Sequence, residues 1–281
     1  MEETALPVYA RHTTITLMTA KLPISLIFVN YHSVWQLSFA LTRLFAIEKN
    51  RARYEVIVVN NDVRETLALE RLQVLLKFTL LENGRNSGFG SACNRGAEVA
   101  TGELLGFINP DTVWTEELLA GMINLFRTDD SLGIMGLHLV DECGVPEAWS
   151  GGKFLTLLQV IVNNLFPTPV GRPSGSEERL DWVSGAGLLL SNSLFRTLNG
   201  FDQNYFLYIE DVDLCLRAQT LGYAVKKDPH YRLIHFGGKS YESKTMQKRH
   251  FLVAQATYFS KHRPRFEQVL LRAVRRLFFS L

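Results

Sequence analysis

The sequence predicts an α/β protein built on a doubly wound sheet, and three observations carry that prediction. Short continuous apolar runs, PISLIFVNY (23–31), YEVIVVN (54–60) and the stretch 103–108, have the look of strands buried on both faces of a parallel sheet. Between them lie segments whose apolar residues recur at three and four, as expected of helices that cross back over a sheet. The runs end in polar residues, Asn30-Tyr31, Asn60-Asn61-Asp62 and Asn109-Pro110-Asp111, at the carboxyl ends where such sheets bind ligands.

Length and composition bound the rest. A chain of 281 residues suits one core domain with terminal additions. Hydrophobic residues make up 47% and charged ones 21%, enough apolar material for a sizeable core. The net charge of +2 is too small to imply nucleic acid, although six Lys/Arg against one Glu follow from Lys261 onward. Cys93, Cys143 and Cys215 have no metal-like spacing and cannot all pair within the chain, which suits reduced thiols in a cytoplasmic protein. No run approaches ~20 apolar residues, so no membrane span is expected. The mixed segment 13–20 does not have the look of a secretory leader.

In order, residues 1–22 show no period and suit an extension or an added edge strand. Ser33 stands where it would cap a helix carrying Val34, Leu37, Leu41, Leu44 and Phe45. Leu69–Leu76 suits a helix, Lys77–Leu81 a strand, Glu116–Phe126 a helix and Gly133–Val140 a strand. Asp141–Gly152 suggests a hairpin and Phe154–Phe166 an apolar segment. Pro167–Arg179, rich in Pro, Gly and Ser, is a surface loop and candidate lid. Trp182–Leu190 resumes as a buried strand, Leu194–Leu198 is a short helix stopped by Gly200, and Asp211–Leu221 is a helix ending before Gly222. Tyr223–Lys227 and Tyr231–His235 are short strands, and Gln247–His262 is helical. Arg265–Leu281 puts Val269, Leu270, Ala273, Val274, Leu277 and Leu281 on one helical face and Arg272, Arg275 and Arg276 opposite. Such a helix lies on an anionic lipid interface, joins a dimer, or covers the core.

Four places carry chemistry. Gly88 and Gly90 in NSGFGSACNRG (86–96) let backbone approach a ligand, and the helix opened there offers N–H groups to an anion; an ordinary glycine turn explains the same residues. The dinucleotide fingerprint is not met, since the third glycine is absent at its offset. Asp111, thrown off the sheet by Pro110, is either a cap for the following helix or the carboxylate a hard divalent cation takes together with substrate phosphates. Glu210, Asp211 and Asp213 put three carboxylates within four positions. Asp213 pairs with Arg217 on the helix surface, and Asp211 is either an N-cap or a catalytic carboxylate. His235, before two glycines, is structural or a ligand for a borderline metal.

These motifs, in this order, resemble those of the inverting family 2 glycosyltransferases, in particular a bacterial rhamnosyltransferase-like branch. The matching pieces are IFVNY (27–31), VIVVNND (56–62), NSGFGSACNRG (86–96), FINPD (107–111), WVSGAGLLL (182–190), GFDQNYFLYIEDVDLCLR (200–217) and IHFGGKS (234–240). Each alone is weak; joint order and spacing across residues 23–240 make the resemblance specific. It implies a GT-A fold, a Rossmann-like nucleotide-binding mixed sheet flanked by helices, over 23–245, followed by basic amphipathic helices at 246–281.

The resemblance also implies roles. Asn30, Tyr31, Asn60, Asp62, Asn86, Gly88, Phe89, Asn94, Asn109 and Asp111 would line the nucleotide-sugar side. Trp182, Ser184, Gly185, Ala186 and Gly187 would shape the acceptor side. Asp211 would be the general base with Glu210 beside it, and Asp111 with His235 would hold Mg²⁺ or Mn²⁺ on the donor diphosphate. Asn109 replaces the first acid of the family's Asp-x-Asp element, and Asn60 stands where many relatives have an acid near the nucleobase. The favoured donor is dTDP-L-rhamnose and the acceptor a saccharide or lipid-linked saccharide, in cell-surface polysaccharide synthesis at the inner face of the membrane. Rival readings are a UDP-hexose or UDP-N-acetylhexosamine donor, or a nucleotide-binding module without turnover. The C-terminal helix would meet an anionic membrane or a second copy in a homodimer.

Overall fold

A computed structural model describes residues 23–158, 160, 178–237 and 243–279. The expected extension at 1–22 lies outside them, as do the apolar segment 154–166 and the candidate lid 167–179 apart from their ends. At the centre, β1 (Ile24–Asn30) is buried at every position and runs parallel to β2 (Tyr54–Asn60) on one side and β4 (Leu104–Ile108) on the other. Burial on both faces explains why these strands are apolar throughout rather than alternating. β3 (Thr79–Glu82) continues the parallel half beyond β2. On the other side β10 (Gly187–Ser191) runs antiparallel between β4 and β6 (Leu132–Val140). β11 (Ala224–His235) then pairs parallel with β6, and β5 (Thr112–Val113) and β8 (Glu178–Arg179) pair antiparallel with β11. The order β3-β2-β1-β4-β10-β6-β11-β5 makes a mixed sheet.

Helices cover both faces. Ile24, Leu26 and Phe28 of β1 face Leu37, Leu41 and Leu44 of α1 (Val34–Ile47), Leu69 of α2 (Thr66–Leu76) and Met122 of α4 (Leu119–Thr128) in one cluster. Ile27 and Val29 face the opposite cluster, with Cys93 of α3 (Phe89–Val99), Phe195 of α5 (Asn192–Thr197) and Leu214 of α6 (Glu210–Thr220). Burying one such aliphatic or aromatic side chain contributes about 1.5–3 kcal/mol.

Several elements differ from expectation. Trp182–Leu190 is two strands: β9 (Trp182–Val183) pairs with β7 (Gly151–Gly152) in a separate ribbon, and β10 begins after a turn closed by Gly187 N–H to the Ser184 carbonyl at 3.2 Å. The two strands expected at 223–227 and 231–235 are one, β11, with a register shift between Lys227 and Arg232. Ser33 does not cap α1; its hydroxyl donates to Asn30, and the Glu65 carboxylate accepts from Ser33 N–H at 3.1 Å and Val34 N–H at 3.4 Å. Nor does Asp111-Thr112 cap α4, which starts later than expected. The buried Glu48 carboxylate accepts from Leu118 N–H at 2.5 Å and Leu119 N–H at 2.9 Å. In both cases an acidic side chain meets the positive end of a helix.

The last helices, α7 (Lys244–His262) and α8 (Arg265–Phe279), pack Ala254, Tyr258, Phe259 and Leu271 against Tyr205, Ile209 and Val212. Asp213 fastens them. Expected on the helix surface, it is 1% exposed. It accepts from Arg217 Nε at 2.7 Å, Tyr205 Oη at 3.4 Å and, across to the end of α7, His262 Nε2 at 2.6 Å. Arg217 also donates to the carbonyls of Leu198 and Gly200. Removing the carboxylate leaves that guanidinium without its counter-charge. Asp213→Ala is therefore expected to lower stability by about 3–5 kcal/mol in urea unfolding, and Asp213→Asn, which keeps an acceptor, by less.

Candidate active site

The carboxyl ends of β1 and β2 form a floor of interlocked amides. Asn30 and Asn60 are fully buried. Asn30 Nδ2 donates to Asn60 Oδ1 at 2.9 Å and to Glu65 at 2.8 Å, while Asn60 Nδ2 donates to Glu82 Oε2 at 2.9 Å. An acid thus stands beside Asn60 after all, contributed by the neighbouring strand. Asp62 accepts from Arg64 Nε at 3.0 Å and has His32 Nδ1 at 3.1 Å. Burial would raise its pKa, but the bonds from Arg64 and the charges beside it hold it below the usual carboxylate range. Tyr31, partly exposed, sits edge-on to His32 at the rim.

Next to this floor, Asn86 Oδ1 accepts from Gly88 N–H at 3.0 Å and shapes the turn into α3. Gly88 has φ +86°, and a Cβ there would collide with the Phe206 carbonyl oxygen. The close approach that glycine permits is therefore to the chain itself. Phe89 N–H donates to that same carbonyl at 3.0 Å, so the first N–H of α3 is not free for an anion. Asn94 lies further along α3 and clamps the Phe201 backbone, donating to its carbonyl and accepting from its N–H, both at 2.8 Å. Its amide is thereby engaged away from the floor.

Beyond β4, Pro110 throws Asp111 out of the sheet and β11 returns His235 beside it. His235 Nε2 lies 3.2 Å from Asp111 Oδ1, and its Nδ1 lies 2.9 Å from Glu147 Oε2. Asn109 Nδ2 is 3.5 Å from the same Nε2. Burial would lower the imidazole's pKa, but the two carboxylates outweigh it and hold the pKa at about 9, so the ring is a cation between two acids. This set could receive a divalent ion. Glu147 holds Nδ1 as a carboxylate behind a metal-ligating histidine does, leaving Nε2 and the Asp111 oxygen side by side. Among the described residues no three His, Cys, Asp or Glu side chains surround one ion position. Two protein donors with substrate phosphates and water suit Mg²⁺ or Mn²⁺.

The remaining wall is the turn between β9 and β10. Ser184 Oγ accepts from Ala186 N–H, the Ala186 carbonyl accepts from Asn109 N–H at 3.0 Å, and Gly185 N–H donates to Asp211 Oδ2 at 2.9 Å. Trp182, anchored by Nε1 to the Lys153 carbonyl at 2.9 Å, flanks it. One short segment therefore joins the Asn-Pro-Asp loop to the acidic start of α6. The backbone reaches that start through two left-handed residues, Tyr208 at φ 72° and Ile209 at φ 68°. For a β-branched residue this is strained by about 1–3 kcal/mol. Ile209, not Asp211, is the cap residue. Asp211 keeps part of its surface open. Burial raises its pKa against the bonds from Gly185 and Val212. Glu210 is 4% exposed, and its Oε2 has no partner among the described residues. Burial first and the neighbouring Asp211 second push Glu210 well above the carboxylate range.

Known structures share this architecture. The mannosyltransferase PcManGT from Pyrobaculum calidifontis, solved with GDP-Man and Mn²⁺, has a TM-score of 0.60 at 17% identity, covering 92% of this chain and 70% of its own. GalNAc-T7, solved with UDP, GalNAc and Mn²⁺, has a TM-score of 0.61 at 15% identity, covering 86% and 51%. The fold is that of the GT-A glycosyltransferases, and both neighbours were solved with a divalent metal. Within that class the chain belongs to glycosyl transferase family 2, whose family model matches residues 25–181. Rhamnosyltransferase WbbL of Escherichia coli K12 is 31% identical over 134 residues, 46% of this chain and 51% of the relative. The N-acetylglucosaminyl-diphospho-decaprenol L-rhamnosyltransferase of Mycobacterium tuberculosis is 27% identical over 202 residues, 64% and 66%. The chain thus spans between half and two thirds of these curated relatives.

The raised pKa of His235 has a definite signature without metal. Its contribution to stability is complete below the unfolded value of 6.5 and is lost as pH rises through about 9. A plot of unfolding free energy against pH should fall across that window in wild type and lose this component in His235→Asn. Mn²⁺ titrated calorimetrically should bind more tightly, with less proton release, as pH rises through the same window.

Proposed function

We propose that this chain is an inverting glycosyltransferase that moves L-rhamnose from dTDP-L-rhamnose to a hydroxyl of a saccharide or lipid-linked saccharide. It would act in the cytoplasm at the inner face of the membrane, in cell-surface polysaccharide synthesis. The donor is supported by the names of the relatives, two of which are rhamnosyltransferases. The carrying observation is the Asp211 carboxylate, partly open and aimed by Gly185 N–H, on the turn that also grips Asn109.

In this reading the acceptor hydroxyl oxygen attacks the anomeric carbon and its proton passes to Asp211. The bond to the nucleotide oxygen breaks on the opposite face, and its electron pair leaves with the diphosphate. The upward shift of Asp211, caused by burial, suits a proton acceptor, and Glu210 beside it is shifted the same way. Asp111 and His235 would hold Mg²⁺ or Mn²⁺, which would neutralise charge on the leaving diphosphate. Tyr31 and Asp62 would meet the nucleoside over the amide floor. Ser184–Gly187 and Trp182 would bound the acceptor.

Asp211→Asn is expected to reduce turnover by about 10²–10⁴-fold while leaving nucleotide-sugar binding near wild type; transfer at near wild-type rate would remove Asp211 as the base. Asp111→Ala should weaken donor binding and abolish its response to Mn²⁺ in calorimetry. A panel of nucleotide sugars, tested for binding and hydrolysis with and without Mn²⁺, decides the donor. Binding of only UDP-hexoses would end the rhamnose reading and leave the transferase reading in place.

A further inference from the structure

The last two helices carry surface that this reaction does not use. α8 turns Glu267 and Leu271 inward, at 8% and 3% exposure. With about 3.6 residues per turn, Phe266, Val269, Leu270 and Ala273 fall on the opposite side. There Phe266, Val269 and Leu270 are 63%, 60% and 47% exposed. Arg265, Arg272 and Arg276, all exposed, follow one long edge of that stripe. This is a different arrangement from the one the sequence suggests: Arg275 leaves the arginine row and turns toward α7.

Between α7 and α8 runs a groove of about 280 Å³ lined by Thr257, Ser260, Gln268, Arg272 and Arg275. Arg275 Nη2 donates to the Leu252 carbonyl and to Gln255 Oε1. Both acceptors are neutral, and the buried Nε–H has no partner among the described residues. A guanidinium held without a carboxylate, beside a second arginine, suits the oxygens of a phosphate.

We propose that α8 lies in the plane of an anionic bilayer. Phe266, Val269 and Leu270 enter the acyl region, and a lipid phosphate seats in the α7–α8 groove on Arg272 and Arg275. Charge complementarity selects this occupant: three exposed arginines edge the stripe, and the one acid of α8, Glu267, is buried and paired with Arg263. The inference deepens the lipid-linked acceptor reading and rests on it for its purpose. His262 ties α7 to Asp213, two residues from Asp211, so a seated α8 would hold the helix that carries Asp211 beside the membrane.

The test is flotation of the full chain on vesicles of phosphatidylcholine alone or mixed ~2:1 with phosphatidylglycerol. Binding is expected on the anionic vesicles only, and Val269→Asp and Arg272→Glu should each weaken it about tenfold with circular dichroism and donor hydrolysis unchanged. Equal binding to both vesicles, or binding indifferent to both substitutions, overturns the proposal. So does light scattering that shows Leu270→Asp converting a dimer to a monomer. A rise in Tm with inorganic phosphate that Arg272→Glu abolishes, without vesicle binding, would make the groove a free-phosphate site and also overturn it. Protein that hydrolyses donor yet ignores anionic vesicles refutes this inference and spares the transferase reading. Vesicle binding by protein that turns over no nucleotide sugar does the reverse.

Discussion

One hydrogen bond from main chain to side chain organises the site: Gly185 N–H to Asp211 Oδ2, at 2.9 Å. It is available because β10 runs against its neighbours. An antiparallel strand among parallel ones starts where they end, so Gly187 lies opposite Ile108, at the edge where β4 delivers Asn109. The turn before β10 is thereby placed between the Asn-Pro-Asp loop and α6. It holds the loop by the Ala186 carbonyl and the carboxylate by the Gly185 N–H. Both grips are main-chain atoms of a turn anchored on the sheet by β10, the kind of support that holds a side chain in place without a second flexible side chain.

Three neighbouring carboxylates meet three different surroundings. Asp213, with Arg217 and His262 against it, is a fastener for the C-terminal helices. Glu210 is buried with one oxygen unsatisfied among the described residues, and burial drives its pKa up. Asp211, between them in sequence, is partly open, and the N–H groups of Gly185 and Val212 oppose the upward push of burial. Left-handed Tyr208 and Ile209 swing the start of α6 so that these neighbours point apart. The strain is tolerated because Tyr205, Ile209 and Val212 are held in the apolar cluster beneath α7 and α8.

How much of this was legible depended on whether the signal was local. β1, β2 and β4 announced themselves because burial on both faces makes a strand apolar throughout, and Asn109-Pro110-Asp111 because proline ends a ladder. The acids that complete the site did not. Glu147 meets His235 from 88 positions away, and Glu48 meets Leu118 from 70, separations at which no spacing rule operates. Glu65 took over the cap expected of Ser33 for the same reason. The break at Ser184–Gly187 was hidden because β9 and β10 are each apolar and only their partners differ. On α8, periodicity found the apolar stripe but could not tell which side faces the protein. The packed side is the narrower one, around Glu267 and Leu271.

The loop before α6 shows why the helical extension and the cleft behave as one unit. Phe206 offers its carbonyl to Phe89 N–H at the start of α3, while its ring stacks on His250 of α7 at 4.9 Å. One residue therefore touches α3 through its backbone and the extension through its side chain. Gly88 makes the first contact attainable, since any larger residue there would displace the Phe206 carbonyl. A shift of α7 would be passed through Phe206 to the entrance of α3 and through Asp213 to the helix that carries Asp211. Two rigid connections at separate points resist rotation as well as translation, so a force on the C-terminal helices would act on both walls of the cleft together.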